Sequence, residues 1–344
     1  MRTSIWHDPE RDDLRKTVRA FADREILPYA QDWERTGEIP RELHAKAGAA
    51  GLLGAPYPEA VGGGGGDGAD AVIICEELHQ AGVPGGTFAS LFTCGISVPH
   101  MIASGDQRLI DTYVRPTLRG DLIGALAITE PGGGSDVGHL TTKAVRDGDD
   151  FIVNGAKTYI TSGVRADYVV TAVRTGGPGA AGVSLLVVDK NSPGFEVSRK
   201  LEKMGWHASD TGELTFTDVE VPDDHLLGEE NKGFYLIMAN FQWERLAMAL
   251  GAVGGMQKVF EATLNYAKER KAFGRAIGRF QVIRHKFAEM ATKIEASRAI
   301  TYNALRLFAD GHDAIREVTM AKLFTQRALL EVADECLQVH GGYG

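Results

Sequence analysis

Residues 240–251 read NFQWERLAMALG, and they lie in a proline-free run from Gly233 to about Lys268 in which apolar residues recur at steps of three and four. That spacing predicts one long α-helix. Ile237, Phe241, Met248 and Gly251 fall on one face at i, i+4, i+11 and i+14, and the position that completes the face at i+7 is Glu244. Its neighbours at three and four residues, Phe241, Asn240, Ala247 and Met248, include no cation, and Arg245 points about 100° away round the helix. A carboxylate among apolar groups has its charged form disfavoured, which raises its pKa and suits it to accepting a proton. Pairing across to another helix, or reaching out to water, accounts for the same residue, and this stretch alone leaves the readings open.

The chain has 344 residues, 44% of them hydrophobic. That is enough for a large core divided between two or three domains. A net charge of -9 argues against a general nucleic-acid binder. Cys75, Cys94 and Cys336 are too few and too scattered for a disulfide framework or a zinc site, so no metal is expected and a reducing cytoplasm fits. The opening MRTSIWHDPERDDLRK lacks the apolar centre of a signal peptide, and no run of about 18 apolar residues occurs, so nothing suggests a membrane.

Residues 8–38 read as a helix, with Asp8 and Pro9 at its start and Leu14, Val18, Phe21 and Ala22 at helical spacing. GGGGGDG at 62–68 lacks the Lys-Ser/Thr pair of a phosphate loop and reads as a turn. Helical composition returns over 69–117. From Asp121 the texture changes to alternating, β-branched runs, with Asp147-Gly148 and Asn154-Gly155 as hairpin signals. No long helix interrupts these runs, and the glycines of GGPGAAG at 176–182 have strands on both sides, so a βαβ dinucleotide fold is excluded. After Pro222 the chain is helical again as far as Leu337. The expected fold is therefore α+β and multidomain: an N-terminal all-α domain (1–120), a central antiparallel β-barrel or sandwich (121–228) and a C-terminal α domain (229–344).

Three stretches besides the long helix carry polar chemistry. AITEPGGGSDVG at 127–138 follows a strand, and its glycines suit either close approach to a flat or anionic ligand, with Thr129 and Ser135 supplying hydroxyls, or a plain strand-end turn. KTYITSG at 157–163 puts Tyr159 and Thr161 on one strand face, where an aromatic beside a hydroxyl either receives a ring cofactor or joins the core. KERKAFGRAIGRFQVIRHK at 268–286 holds seven Lys or Arg against one acidic residue in an acidic chain, which suits a pyrophosphate or a solvated helix end.

Taken together, AITEPGGGSD, GAKTYITSG, WERLAMALGAVGGMQ, ERKAFGRAIGRFQ and QVHGGYG stand in the order and spacing of the acyl-CoA dehydrogenase family, which the chain resembles over essentially its whole length. The resemblance implies the helix–β–helix fold of that family, a homotetramer built as a dimer of dimers, and FAD as cofactor. It also implies oxidation of a fatty or branched acyl-CoA thioester to the trans-2-enoyl-CoA, as in fatty-acid β-oxidation: a base takes the α-proton, the β-hydride goes to flavin N5, and an electron-transfer flavoprotein accepts the electrons. By the same resemblance Leu126, Ile128, Thr129, Gly134, Ser135, Tyr159, Ile160 and Thr161 line the flavin, with Ser135 also reaching the CoA moiety. Tyr159 stands where the family often has tryptophan, and Thr161 where a hydroxyl faces N5. Arg270, Ala272, Phe273, Gln281, Gln338, Gly341 and Gly342 are implied to contact the FAD of a neighbouring subunit.

Glu244 resembles the catalytic base of the isovaleryl-CoA and long-chain branches, which place it on this helix in the pattern ER, with Phe241, Gln242 and Arg245 against the substrate. His207, in KMGWHASDT at 203–211, replaces a usual arginine. The family continues beyond QVHGGYG, so its last loop and helix are expected to be absent from this chain. A same-fold oxidase or flavin monooxygenase would use oxygen in place of the flavoprotein acceptor, and a flavin-free scaffold is the alternative from another class.

Overall fold

The structure is a computed structural model that describes residues 9–344; Asp8, read as a helix cap, lies outside the described residues. The first elements are the helices α1 (Pro9–Phe21), α2 (Ala30–Thr36), α3 (Glu42–Ala49), α4 (Gly68–Ala81), α5 (Gly85–Leu91), α6 (Cys94–Ser104), α7 (Gln107–Leu109) and α8 (Arg115–Arg119). The strands β1 (Gly124–Ala127), β2 (Lys143–Asp147), β3 (Asp150–Thr161), β4 (Tyr168–Arg174), β5 (Val183–Asp189), β6 (Phe195–Lys200) and β7 (Thr211–Pro222) follow. The chain ends with α9 (Gly233–Glu269), the short hairpin β8 (Lys271–Ala272) and β9 (Arg275–Ala276), α10 (Gln281–Ala309) and α11 (Ile315–His340). The α+β order of helices, sheet and helices agrees with the sequence reading.

The chain separates into two compact units. One comprises Arg24–Asp67 and Pro84–Phe241, the other the residues up to Asp23, Gly68–Val83 and Gln242–Gly344, so the boundary between them falls within α9.

In the first unit the sheet has the order β1-β4-β2-β3-β7-β6, with β5 on the other side of β4. The β2–β3, β3–β7, β4–β5 and β6–β7 ladders are antiparallel, as expected, but β1 runs parallel to β4, Gly124 opposite Tyr168 and Ala127 opposite Thr171. A parallel pair needs a long crossover. Here the β2–β3 hairpin and its flanking loops supply one without an α-helix. Asp147-Gly148 closes that hairpin as read, with Asp147 opposite Asp150.

Asn154-Gly155, read as a second hairpin, instead lies inside β3. The Asn154 side chain bonds Asp218 across the ladder, donating from Nδ2 to Oδ1 (2.9 Å) and accepting the Asp218 N–H (2.9 Å), while the register slips between Val153 and Gly155. This is a β-bulge. Gly155 takes φ 151°, where an added Cβ would lie 2.6 Å from Thr142 Oγ1. Phe151, Val153, Val169, Val173, Leu186, Val188, Leu214, Phe216 and Val219 form the core on one side of the bulged strand.

The helix read over 8–38 is interrupted. After α1 the chain makes a π-turn over Ala22–Ile26, and α2 starts only at Ala30, because Pro28 has no N–H for a helical bond. Gly85–Ser104 is long and apolar enough by composition to cross a membrane, but it divides into α5 and α6 at Phe92–Thr93, and Leu91, Cys94, Val98 and Met101 are buried as in a core helix.

In the second unit α9, 37 residues long, realises the predicted helix. The expected apolar face does not match its buried one. Leu246, Ala249, Leu250, Val253 and Met256 are buried, whereas Met248 is 46% exposed. The helix is apolar nearly all round, so periodicity alone could not fix which face would be covered. Gly254 lets α4 come close: a Cβ there would lie 2.6 Å from His79 Cβ. Arg15 and Arg19 on α1 pair with Glu77 on α4 at 3.0 and 2.8 Å. Met256, Phe287, Met290, Ile294, Ala328, Val332 and Cys336 pack α9, α10 and α11 into one core. All three cysteines are buried and free.

Candidate active site

The sequence-predicted residues gather into two groups, one in each unit. In the sheet unit, Leu126 lies on β1, Ile128, Thr129, Gly134 and Ser135 on the turn that follows it, and Tyr159, Ile160 and Thr161 at the end of β3. The fold brings these stretches side by side. The Thr158 N–H donates to the Thr129 carbonyl at 2.9 Å, and Lys157 Nζ donates to the Ile128 carbonyl at 3.0 Å. The turn is closed on itself by reciprocal bonds between Glu130 and Gly133, each 3.0 Å.

Beneath the turn is a pair that the sequence reading did not single out. Lys157 is fully buried and Glu130 is 6% exposed, and Lys157 Nζ stands 2.9 Å from Glu130 Oε1. The carboxylate also accepts the Thr141 N–H (2.6 Å), the Thr141 hydroxyl (2.7 Å) and the Thr142 N–H (2.8 Å). Burial pulls the Lys157 ammonium down to about 8, with Glu130 opposing it. Burial would raise the Glu130 carboxyl, but Lys157 and the threonine donors outweigh it and hold the acid at about 2. Both groups are thus charged near neutral pH, in the arrangement that a buried ion pair requires. A signal was available: Lys157 shares the strand parity of the core residues Phe151 and Val153.

Tyr159 is 69% exposed and has φ 61°, a conformation rare for a residue with a Cβ, at a second register slip between Lys157 and Ile160. Strain of this kind persists where the surrounding structure imposes it, and it clusters at ligand sites. The Thr129 N–H, the Thr129 hydroxyl and the Thr161 hydroxyl form no hydrogen bond with any described residue. An outward aromatic next to open donors on a rigid turn fits a flat ring system with acceptors on its edge. The residues present therefore fit a flavin.

The second group lies in the helical unit. Gln242, Glu244 and Arg245 are on α9, Arg270, Ala272 and Phe273 in and beside the β8–β9 hairpin, Gln281 at the start of α10, and Gln338, Gly341 and Gly342 at the end of α11. Phe241 falls on the other side of the unit boundary. The ends of α9 and α11 meet where His340 stacks on Tyr266, ring centroids 4.3 Å apart. Phe273 is 94% exposed at φ 49°. Beside the hairpin, Lys268, Arg279 and Arg284 line an open cleft of about 430 Å³. Glu244 is half-buried, and it is not without an interacting partner, which corrects the expectation of an isolated carboxylate. By sequence it has no cation at helical reach. Roughly 38 Å of helix separates Glu244 from Glu269 at the end of α9, so Glu244 and the hairpin group do not meet along this helix.

Family models for the acyl-CoA dehydrogenase N-terminal, middle and C-terminal domains match residues 8–121, 125–219 and 231–344. The mitochondrial long-chain specific acyl-CoA dehydrogenase of Sus scrofa is 40% identical over 97% of this chain and 78% of its own. The caffeyl-CoA reductase-Etf complex subunit CarC of Acetobacterium woodii is 36% identical over 96% of this chain and 88% of its own. Among solved structures, a putative acyl-CoA dehydrogenase from Mycobacterium smegmatis superposes with a TM-score of 0.97 at 61% identity, covering 99% of this chain and 90% of that one. The chain belongs to the acyl-CoA dehydrogenase family, whose members are FAD-dependent oxidoreductases acting on acyl-CoA.

Proposed function

We propose that this protein oxidises an acyl-CoA thioester to the trans-2-enoyl-CoA, with Glu244 as the base that removes the α-proton. FAD, when bound, supplies the acceptor for the β-hydride. The turn at 128–135 and the end of β3 hold the ring, through Thr129 and Thr161 as donors and Tyr159 as a stacking face, with Leu126, Ile128, Gly134, Ser135 and Ile160 completing the wall. Phe241, Gln242 and Arg245 flank the base along α9 and position the acyl-CoA, whose CoA moiety Ser135 also reaches. A carboxylate is suited to this step because abstraction next to a thioester carbonyl needs a base whose proton affinity its surroundings can tune. The observation that carries the reading is Glu244 at a half-buried position inside a long helix, in a chain that matches the family's three domain models from end to end.

The same reading assigns an electron-transfer flavoprotein as the acceptor, supported by the relative named as part of a reductase-Etf complex. It also makes the working form a homotetramer, with Arg270, Ala272, Phe273, Gln281, Gln338, Gly341 and Gly342 contributed to a neighbour's FAD. Two observations favour that arrangement: the length of α9 between Glu244 and the hairpin, and an exposed apolar stripe on α11 formed by Met320, Leu323, Phe324, Leu330 and Leu337. The cytoplasm is the proposed location.

The test is anaerobic addition of straight and branched acyl-CoAs to the FAD-loaded protein. The visible flavin band is expected to bleach, and the product to be lighter than the substrate by two hydrogens. Bleaching that reverses rapidly in air, without added flavoprotein, would replace the dehydrogenase reading with an oxidase. A protein that binds no flavin would be a scaffold.

A further inference from the structure

The buried pair under the turn has a geometry that reaches further than support. A trans peptide is planar, so the carbonyl of one residue and the N–H of the next point in opposite directions from the same rigid unit. Lys157 Nζ takes the Ile128 carbonyl from the inside at 3.0 Å. The N–H belonging to that peptide is that of Thr129, one of the open donors. The next peptide is fixed in the same manner: the Thr158 N–H holds the Thr129 carbonyl, and the opposing Glu130 N–H is satisfied by Gly133. Lys157 in turn is held by Glu130 Oε1 at 2.9 Å, and Glu130 by Thr141 and Thr142. A buried lysine costs desolvation, and a backbone amide could have satisfied the Ile128 carbonyl more simply. A charged donor binds a carbonyl more strongly than a neutral one and so fixes the tilt of the peptide more tightly.

We propose that Lys157 is a positioning residue of the flavin site: by gripping the Ile128 carbonyl it aims the Thr129 N–H at the flavin, and Glu130 locks Lys157 in place. This rests on the reading that the 128–135 turn lines the flavin. Neither side chain touches the cofactor. Their effect passes through one peptide plane. A donor held against a ring acceptor favours the electron-rich reduced form, so loss of its aim weakens FAD binding and also lowers the reduction potential.

The test uses Lys157→Met and the isosteric Glu130→Gln, with Tyr168→Phe as a stability control. Tyr168 is fully buried in the same unit and bonds Thr117 at 2.9 Å, away from the turn. The FAD dissociation constant is measured by titrating flavin-depleted protein, and the midpoint potential on the reloaded enzyme. Lys157→Met is expected to weaken FAD about tenfold, the effect of one hydrogen bond, and to shift the potential negative, with Glu130→Gln moving both in the same direction. Tyr168→Phe is expected to lower the melting temperature while leaving both readouts at the wild-type value. If Lys157→Met does not fold, Glu130→Gln decides. Wild-type FAD affinity and potential in the folded variants would overturn the proposal. Thr129→Ala then separates the two levels: weakened FAD there keeps the turn as the flavin site and removes only the positioning role, whereas wild-type affinity there removes both.

Discussion

Glu244→Gln is expected to keep its FAD and its fold but to lose flavin reduction by acyl-CoA by about 10⁴-fold, the upper range for removal of a positioned general base. Glutamine has the same shape and retains a hydrogen-bonding amide, so the helix and its half-buried contacts persist. What it lacks is the ability to hold an abstracted proton. The residues proposed to hold FAD are Thr129, Tyr159, Thr161 and their neighbours, on the turn after β1 and at the end of β3 and not on α9. Cofactor content therefore reports on folding, and the anaerobic bleaching rate on the base. A variant that reduces its flavin within about tenfold of the wild-type rate would place the base elsewhere in the chain.

Phe151→Ala is expected to cost about 3–5 kcal/mol of stability, the range for emptying a buried phenylalanine site. Phe151 is fully buried at the start of β3, opposite Arg146 and Val221 in the ladders, with the Arg146 guanidinium 4.5 Å from its ring centroid. The strand that begins near this anchor ends with Tyr159, in a bulge, and Thr161, which pairs with Thr211 on β7. Chemical denaturation should show the loss in the transition that involves the sheet, together with early release of FAD. A change below about 1 kcal/mol would show that the surrounding core closes over the cavity and that β3 does not depend on this contact.

The sequence made the large features visible because they repeat. The period of α9 fixed its extent within a residue or two, and the switch from a helical to a two-residue rhythm after Asp121 marked where the sheet begins. What escaped it depends on partners far away in sequence. Asn154-Gly155 carries the residues of a tight turn, but its Asn side chain finds Asp218 on β7 and the pair becomes a bulge. The parallel pairing of β1 with β4 follows from where β1 lands after the helices, which no local pattern encodes. For α9, a helix apolar on all sides left the buried face ambiguous, and Met248 proved exposed while Leu246 and Leu250 are buried.

The candidate site was legible at its surface: Thr129, Tyr159 and Thr161 announced themselves as polar and aromatic groups among glycines. Its foundation was not, since Glu130 and Lys157 look like ordinary solvated charges until the strand parity of Lys157 is set beside Phe151 and Val153. Spacing along the helix likewise did not show that Glu244 has an interacting partner in the folded chain.

The most direct measurement is single-turnover flavin bleaching under anaerobic conditions with an acyl-CoA carrying deuterium at the α-carbon. Removal of the α-proton by Glu244 during hydride loss predicts that bleaching of a substrate with two α-deuteriums slows several-fold relative to the unlabelled thioester, with one of the two missing from the enoyl product. Bleaching at an unchanged rate would contradict the account, whatever the cofactor content of the protein.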